Sequence, residues 1–248
     1  MADLDITTID HGSSKTHMVH TKYVNWVILQ SGDGVTLVDG GYPGHADAVA
    51  ESLRRVGSDL GEVQGALLTH AHVDHLGGLA QIGRTHSFPI YADPNEVAHA
   101  RREYLEQADA STIAPIAYRP RVARWLSGVV RLGALDKAGI GDAQPIVDST
   151  LLPGRPVAVP TPGHTRGHSA FLVGDGEVLI SGDALISGHP TSKFRGPQCL
   201  DHVFTHDEPR NAESVEALGN LDAVVLMPGH GPMLCGRVGT FVEQALGL

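Results

Sequence analysis

Cysteine is scarce: the chain of 248 residues has two, Cys199 and Cys235. Two thiols cannot form a disulfide framework, so the expected setting is the reducing cytoplasm. Cations are also few. Eighteen Lys and Arg face 28 Asp and Glu, a formal charge of 18 − 28 = −10. Such a chain lacks the cationic footprint that a nucleic-acid partner requires. No apolar run approaches the roughly 20 residues of a membrane helix. The acidic opening, Met1 to Asp10, has no apolar stretch and argues against a signal peptide. What is plentiful is histidine, at 15 residues. Hydrophobic residues at 42% and charged residues at 19% are ordinary for a globular chain and too apolar for a disordered one.

Short β-rich runs alternate with helical patterns, which implies layered α/β architecture. Tyr23 to Leu29, Val35 to Val38, Ala66 to Thr69 and Pro89 to Ala92 read as strands, and Ala46 to Val56 as a helix. A further helix is expected to begin near Leu76. Residues from about 93 to 141 are helical in pattern, with a proline-punctuated break, and read as a helical insertion in a single domain spanning 1–248. The strand-rich style then returns at Val157 to Val159, Ala170 to Val173, Val178 to Ile180 and Ala223 to Met227. Asn211 to Leu218 and Val238 to Leu246 read as helices, and Ser187 to Pro209 as a loop.

Residues 69–75 read THAHVDH, so His70, His72, Asp74 and His75 fall within six positions, directly after a buried strand. A loop leaving a strand can splay alternate side chains toward one point. His70 and His72 would then share one ion while Asp74 and His75 turn to a second. Imidazole with carboxylate suits zinc or iron. Three later segments repeat one form, an apolar strand followed by a ligand type in a glycine turn: His164 after PTPG, Asp183 after VLISG and His230 after AVVLMPG. The glycines allow close backbone approach beside an ion.

In these motifs the sequence resembles the metallo-β-lactamase-fold hydrolases, from the VDGG of Val38 to Gly41 through the HxHxDH of His70 to His75 and on to the His230 turn. The resemblance implies an αβ/βα four-layer sandwich: two mixed β-sheets face to face with helices outside and metals at one edge. It implies that His70, His72 and His164 hold one metal, that Asp74, His75 and His230 hold a second, and that Asp183 bridges both. Asp39 and His168 are expected to orient ligands from behind, although Asp39 also reads as a plain turn residue before two glycines. The expected cofactors are two divalent ions, Zn²⁺ first, with iron or manganese as alternatives.

Two divalent ions bring four positive charges, of which Asp74 and Asp183 return two. A bridging hydroxide fits that balance, because zinc lowers the pKa of water from 15.7 to about 7. The expected reaction is attack on the carbonyl of a small-molecule ester, thioester or lactone, with Asp74 and Asp183 as the catalytic carboxylates. An aspartate at position 183 resembles the glyoxalase II, lactonase and phosphoesterase branches, and differs from the Cys or Ser of true β-lactamases. A β-lactam hydrolase with the same site and a mononuclear-iron persulfide dioxygenase stand as alternatives. The insertion offers Tyr104, Leu105, Ile113, Ile116, Tyr118 and Trp125 as an apolar lid, although Leu105, Trp125 and Leu126 equally read as packing residues. His11, His17, His20, His45, His86, His99, His189, His202 and His206 read as surface or hydrogen-bonded loop residues. His189 and His202 are placed to line the cleft, and Arg166 to face substrate or solvent.

Overall fold

The computed structural model describes residues 4–248, so the first three positions of the expected domain lie outside the described residues. One sheet runs in chain order: β1 (Asp5–Asp10), β2 (Ser14–His20), β3 (Trp26–Ser31), β4 (Gly34–Val38), β5 (Val63–Leu67), β6 (Ile90–Ala92) and β7 (Gln144–Pro145). Its pairings are antiparallel as far as β4 and parallel beyond. The second sheet is ordered β14 (Leu234–Cys235), β13 (Val225–Pro228), β10 (Val178–Gly182), β9 (Ser169–Val173), β8 (Val157–Pro160), and only its β10–β13 pair is parallel. A short ribbon pairs β11 (Ile186–Gly188) with β12 (Arg195–Gln198).

The layering follows from side-chain alternation along strands buried on both faces. In β3, Trp26 and Ile28 join the cluster under helices α1 (Ala46–Arg55) and α2 (Val73–Ile82), with Val49, Leu53, Leu76 and Leu79. Val27 and Leu29 point the other way, into the cluster between the sheets, where they meet Phe171, Ile180 and Met227. In β10 and β13, Leu179 and Leu226 face outward to α6 (Glu208–Leu218) and α7 (Val238–Leu246), against Val215, Leu218, Val238 and Val242. The result is four layers, helix–sheet–sheet–helix. Each large apolar side chain buried this way contributes roughly 1.5–3 kcal/mol.

Residues 93–141 form less helix than their pattern suggests. They contain α3 (Val97–Ala100), α4 (Ala110–Ile113) and α5 (Pro120–Arg131). The helical pattern expected across 93–141 first breaks at Ala100, whose carbonyl accepts the Ile140 N–H at 2.8 Å. Arg102 then turns left-handed, at φ 63°. A competing tertiary partner has overridden helix propensity. By contrast α5 packs its Val129 with Val24, Tyr42 and Val73. The loop expected at Ser187 to Pro209 carries β12 and most of β11, and β1 and β2 carry no clear alternation in the sequence.

The fold places five strand ends on one edge. β4 leads into Asp39, β5 into His70, β8 into His164, β10 into Asp183 and β13 into His230. In open α/β sheets the crevice outside the carboxyl ends of the strands is where ligands collect. Helix α2 starts at Val73, earlier than expected, which puts Asp74 in its first turn, where the helix dipole favours an anion. Gly78 lets that helix settle on the Asp39–Tyr42 turn: a Cβ there would strike the Gly40 carbonyl oxygen.

Candidate metal centre

All seven expected ligands converge on this edge. His70, His72 and His164 bring one nitrogen each to within 4.8 Å of one another, as do the ligand atoms of His70, His75 and Asp183, and of Asp74, His75 and His230. His164 Nε2 stands 3.2 Å from His70 Nε2 and 3.1 Å from His72 Nδ1. The Asp183 carboxylate lies between the groups. Its Oδ2 is 3.6 Å from His164 Nε2, 3.9 Å from His70 Nε2 and 3.1 Å from His230 Nε2, and its Oδ1 is 3.4 Å from His75 Nε2. Asp74 Oδ2 reaches His230 Nε2 at 3.5 Å. Gly229 is required beside this cluster, since a Cβ on it would collide with Asp183 Oδ1.

The tautomers are dictated from behind. His72 Nε2 donates to the Glu106 carbonyl at 2.6 Å and His230 Nδ1 to the Tyr23 carbonyl at 2.6 Å, because a carbonyl can only accept. His75 Nδ1 donates to Asp39 Oδ2 at 2.8 Å. Thr69 Oγ1 gives its own proton to Asp39 Oδ2 at 2.7 Å and so accepts from His70 Nδ1 at 3.0 Å. In the neutral, metal-binding form of these four histidines the nitrogen facing the centre is therefore a lone pair. Asp39 holds its place at φ 62°, a left-handed conformation that Asp tolerates better than most residues. His168 takes the Asp183 N–H on Nε2 at 3.0 Å and meets Thr161 Oγ1 through Nδ1 at 2.7 Å.

Lone pairs that face one another in a buried space call for a cation. His75 Nε2 and Asp183 Oδ1 are buried with no hydrogen-bond partner. Burial, together with neighbouring imidazoles, holds His70 and His164 well below the usual histidine range, and burial pushes His72 down to about 4. On the other side, burial opposes the charged form of His75 and His230, but Asp183 and its companion carboxylates outweigh it and raise both. Burial likewise works against the Asp183 charge, and His230 and His75 hold its carboxyl well below the carboxylate range. Without a metal, protons must balance Asp183. The donor set, imidazole nitrogen with carboxylate oxygen, fits a divalent ion of the zinc type.

Family comparison agrees with this geometry. Residues 21–230 match the Metallo-beta-lactamase superfamily. The chain belongs to that superfamily. Among its relatives, the probable metallo-hydrolase YflN of Bacillus subtilis (strain 168) is 28% identical over 211 residues, covering 81% of this chain and 76% of its own. A hydroxyacylglutathione hydrolase of Alkalilimnicola ehrlichii is 32% identical over 154 residues, covering 62% of this chain and 44% of that protein. A metallo-beta-lactamase family protein of Thermus thermophilus superposes with a TM-score of 0.64 at 24% identity, over 98% of this chain and 77% of that one. Rm3 metallo-beta-lactamase gives a TM-score of 0.64 at 21% identity, over 94% and 88%. These two share the fold. The chain thus belongs to a metallo-hydrolase superfamily and carries a His/Asp metal-binding cluster. Among the described residues, no helix is long and apolar enough to cross a membrane.

The other expected residues disperse. Trp125 is half-buried, with its ring 5.6 Å from those of His189 and Phe204, and His189 stands edge-on to His230 at 4.9 Å. Ile113 is buried, whereas Leu105 and Tyr118 are exposed. Arg166 is exposed and pairs with Glu106 at 2.9 Å. His202 is exposed. Of the histidines read as surface or hydrogen-bonded loop residues, His17, His45 and His99 are hydrogen-bonded but buried, with His17 in β2 and His99 in α3, so the surface reading is corrected for all three and the loop reading for His17 and His99. Sequence reasoning missed Thr69, Glu96, Asn25 and the carbonyls of Tyr23 and Glu106. Glu96 and His99 had a usable signal, an acid and a histidine three apart beside a helix. A main-chain carbonyl has none.

Proposed function

We propose that the protein is a dinuclear metal-dependent hydrolase, with zinc as the preferred ion, acting on the carbonyl of a small ester, thioester or lactone. One ion belongs to His70, His72 and His164, the other to Asp74, His75 and His230, with Asp183 shared. The observation that carries this reading is Asp183, whose two oxygens lie within 3.1–3.9 Å of nitrogens from both groups. A bound pair of divalent ions supplies Lewis acidity toward a carbonyl oxygen and ionises water near neutral pH. The residues of the chain do the rest. Asp39, Thr69, Tyr23 and Glu106 fix each imidazole with its lone pair inward. Asp74, whose side chain is 16% exposed against 3% for Asp183, is the carboxylate open to solvent and is assigned to proton transfer through the oxygen that does not hold the ion. The segment 93–141 acts as a lid, with Trp125 at its inner face beside His189.

The test is elemental analysis followed by a turnover panel with the zinc-reconstituted protein. The proposal expects turnover of thioester, lactone or ester substrates that chelation abolishes. Preferential turnover of β-lactams, or a single iron with oxygen consumption, would replace it.

A further inference from the structure

Glu96 is wholly buried and belongs to none of the three ligand groups. Its Oε1 accepts the Ala71 N–H and His99 Nδ1, both at 2.8 Å. Its Oε2 accepts Thr165 Oγ1 at 2.9 Å and the Gly167 N–H at 3.0 Å. All four partners donate, so the group is a carboxylate, and its carboxyl is held below the usual range despite burial, first by His99. Three of the four donors come from two separate loops. Ala71 sits between His70 and His72, while Thr165 and Gly167 follow His164. One carboxylate thus clasps the two loops that carry a whole ligand triad.

A second limb reaches a ligand directly. His99 gives Nδ1–H to Glu96, so its Nε2 is a lone pair and accepts the Glu106 N–H at 3.2 Å. Glu106 then presents its carbonyl to His72 Nε2 at 2.6 Å. Tyr104 stacks on the His99 ring at 5.3 Å and 20°. The polarity runs without interruption from Glu96 to His72. The other triad is held by Asp39 behind His75 and Tyr23 behind His230, and of these only Asp39 also reaches the first triad, through Thr69 to His70.

We propose that Glu96 and His99 are positioning residues that set ion affinity at the His70–His72–His164 site alone, through the clasp on its two loops and the Glu106 link to His72. The inference rests on the dinuclear reading above. Glu96→Gln is nearly isosteric, but its amide nitrogen must face two donors whichever way it turns, so half the clasp is lost. Partners behind metal ligands typically govern roughly 10–100-fold in affinity.

The test is titration of the full-length metal-free protein with Zn²⁺ against a chelator, and with Co²⁺ followed by visible absorption. His72→Ala and His230→Ala assign the two binding steps. In Glu96→Gln, the step lost in His72→Ala is expected to weaken roughly 10–100-fold, with its cobalt spectrum altered. The step lost in His230→Ala is expected to move less than about threefold. His99→Phe, which keeps the stack on Tyr104, and Thr165→Val, which removes one of four donors, should shift the same step by smaller factors. They carry the test if Glu96→Gln does not fold. Equal shifts in both steps, or no shift in either, would overturn the inference. A wild-type protein that takes up no second ion would instead overturn the dinuclear reading beneath it.

Discussion

His230 Nδ1 donates to the main-chain carbonyl of Tyr23 at 2.6 Å, across 207 positions of sequence. The segment before β3 thereby fixes a ring that hangs from the end of β13, so the ligand depends on the join between the two sheets.

Asn25 makes that join. Its Nδ2 donates to the carbonyls of Pro228 and Gly231, each at 2.8 Å, on either side of His230. Asn25→Ala leaves buried carbonyls without donors and should destabilise the metal-free protein by about 1–3 kcal/mol. Urea unfolding followed by circular dichroism measures it, and an unchanged midpoint would show that the join carries no strength.

Asp39 joins Thr69 and His75 on one carboxylate. Asn tolerates its left-handed backbone, so Asp39→Asn should keep the fold while turning an amide toward a donor. Affinity for the ion on the His75 side is expected to fall roughly 10–100-fold. Chelator competition reads this directly, and wild-type affinity would remove Asp39 from the account.

His45 lies between Trp26 and Tyr42 and accepts the Tyr42 N–H on Nδ1 at 3.2 Å. Burial lowers it to about 4 from an ordinary 6.5. Its folded pKa is the lower one, so its contribution to stability is intact above pH 6.5 and is lost as pH falls toward 4. The unfolded chain takes up a proton there that the folded chain refuses. The loss at pH 4 is about 3 kcal/mol at most. His45→Asn supplies an acceptor that does not titrate. Melting temperatures of the metal-free proteins from pH 7 to pH 4.5 should fall less steeply in the variant, and parallel curves would contradict the assignment.

Trp125 tests the lid. Trp125→Ala should raise KM for an apolar acyl substrate by about 2- to 10-fold, equivalent to ~0.5–1.5 kcal/mol of aromatic contact, with kcat nearly unchanged. A markedly lowered melting temperature with KM unmoved would make Trp125 a packing residue.

The sequence disclosed the ligand-bearing turns because each couples an apolar strand to glycine, a pattern that local sterics impose. It marked α7 for a similar reason, with apolar residues recurring from Val238 to Leu246. It concealed β2 because Thr16 and His17 are buried there among polar partners, His17 with Thr8 and Gln30. Those partners lie on neighbouring strands, where no local pattern reveals them. The early end of α3 depends on Ile140, forty positions away from Ala100. The Glu96 clasp was hidden likewise, since three of its four donors belong to loops elsewhere in the chain.

The most direct measurement is the metal content of the purified, zinc-loaded protein beside that of Asp183→Asn. The account predicts two equivalents in the wild type, fewer than two in the variant, and a fall in turnover on the order of 10²–10³-fold. Full metal content and wild-type turnover in Asp183→Asn would contradict it.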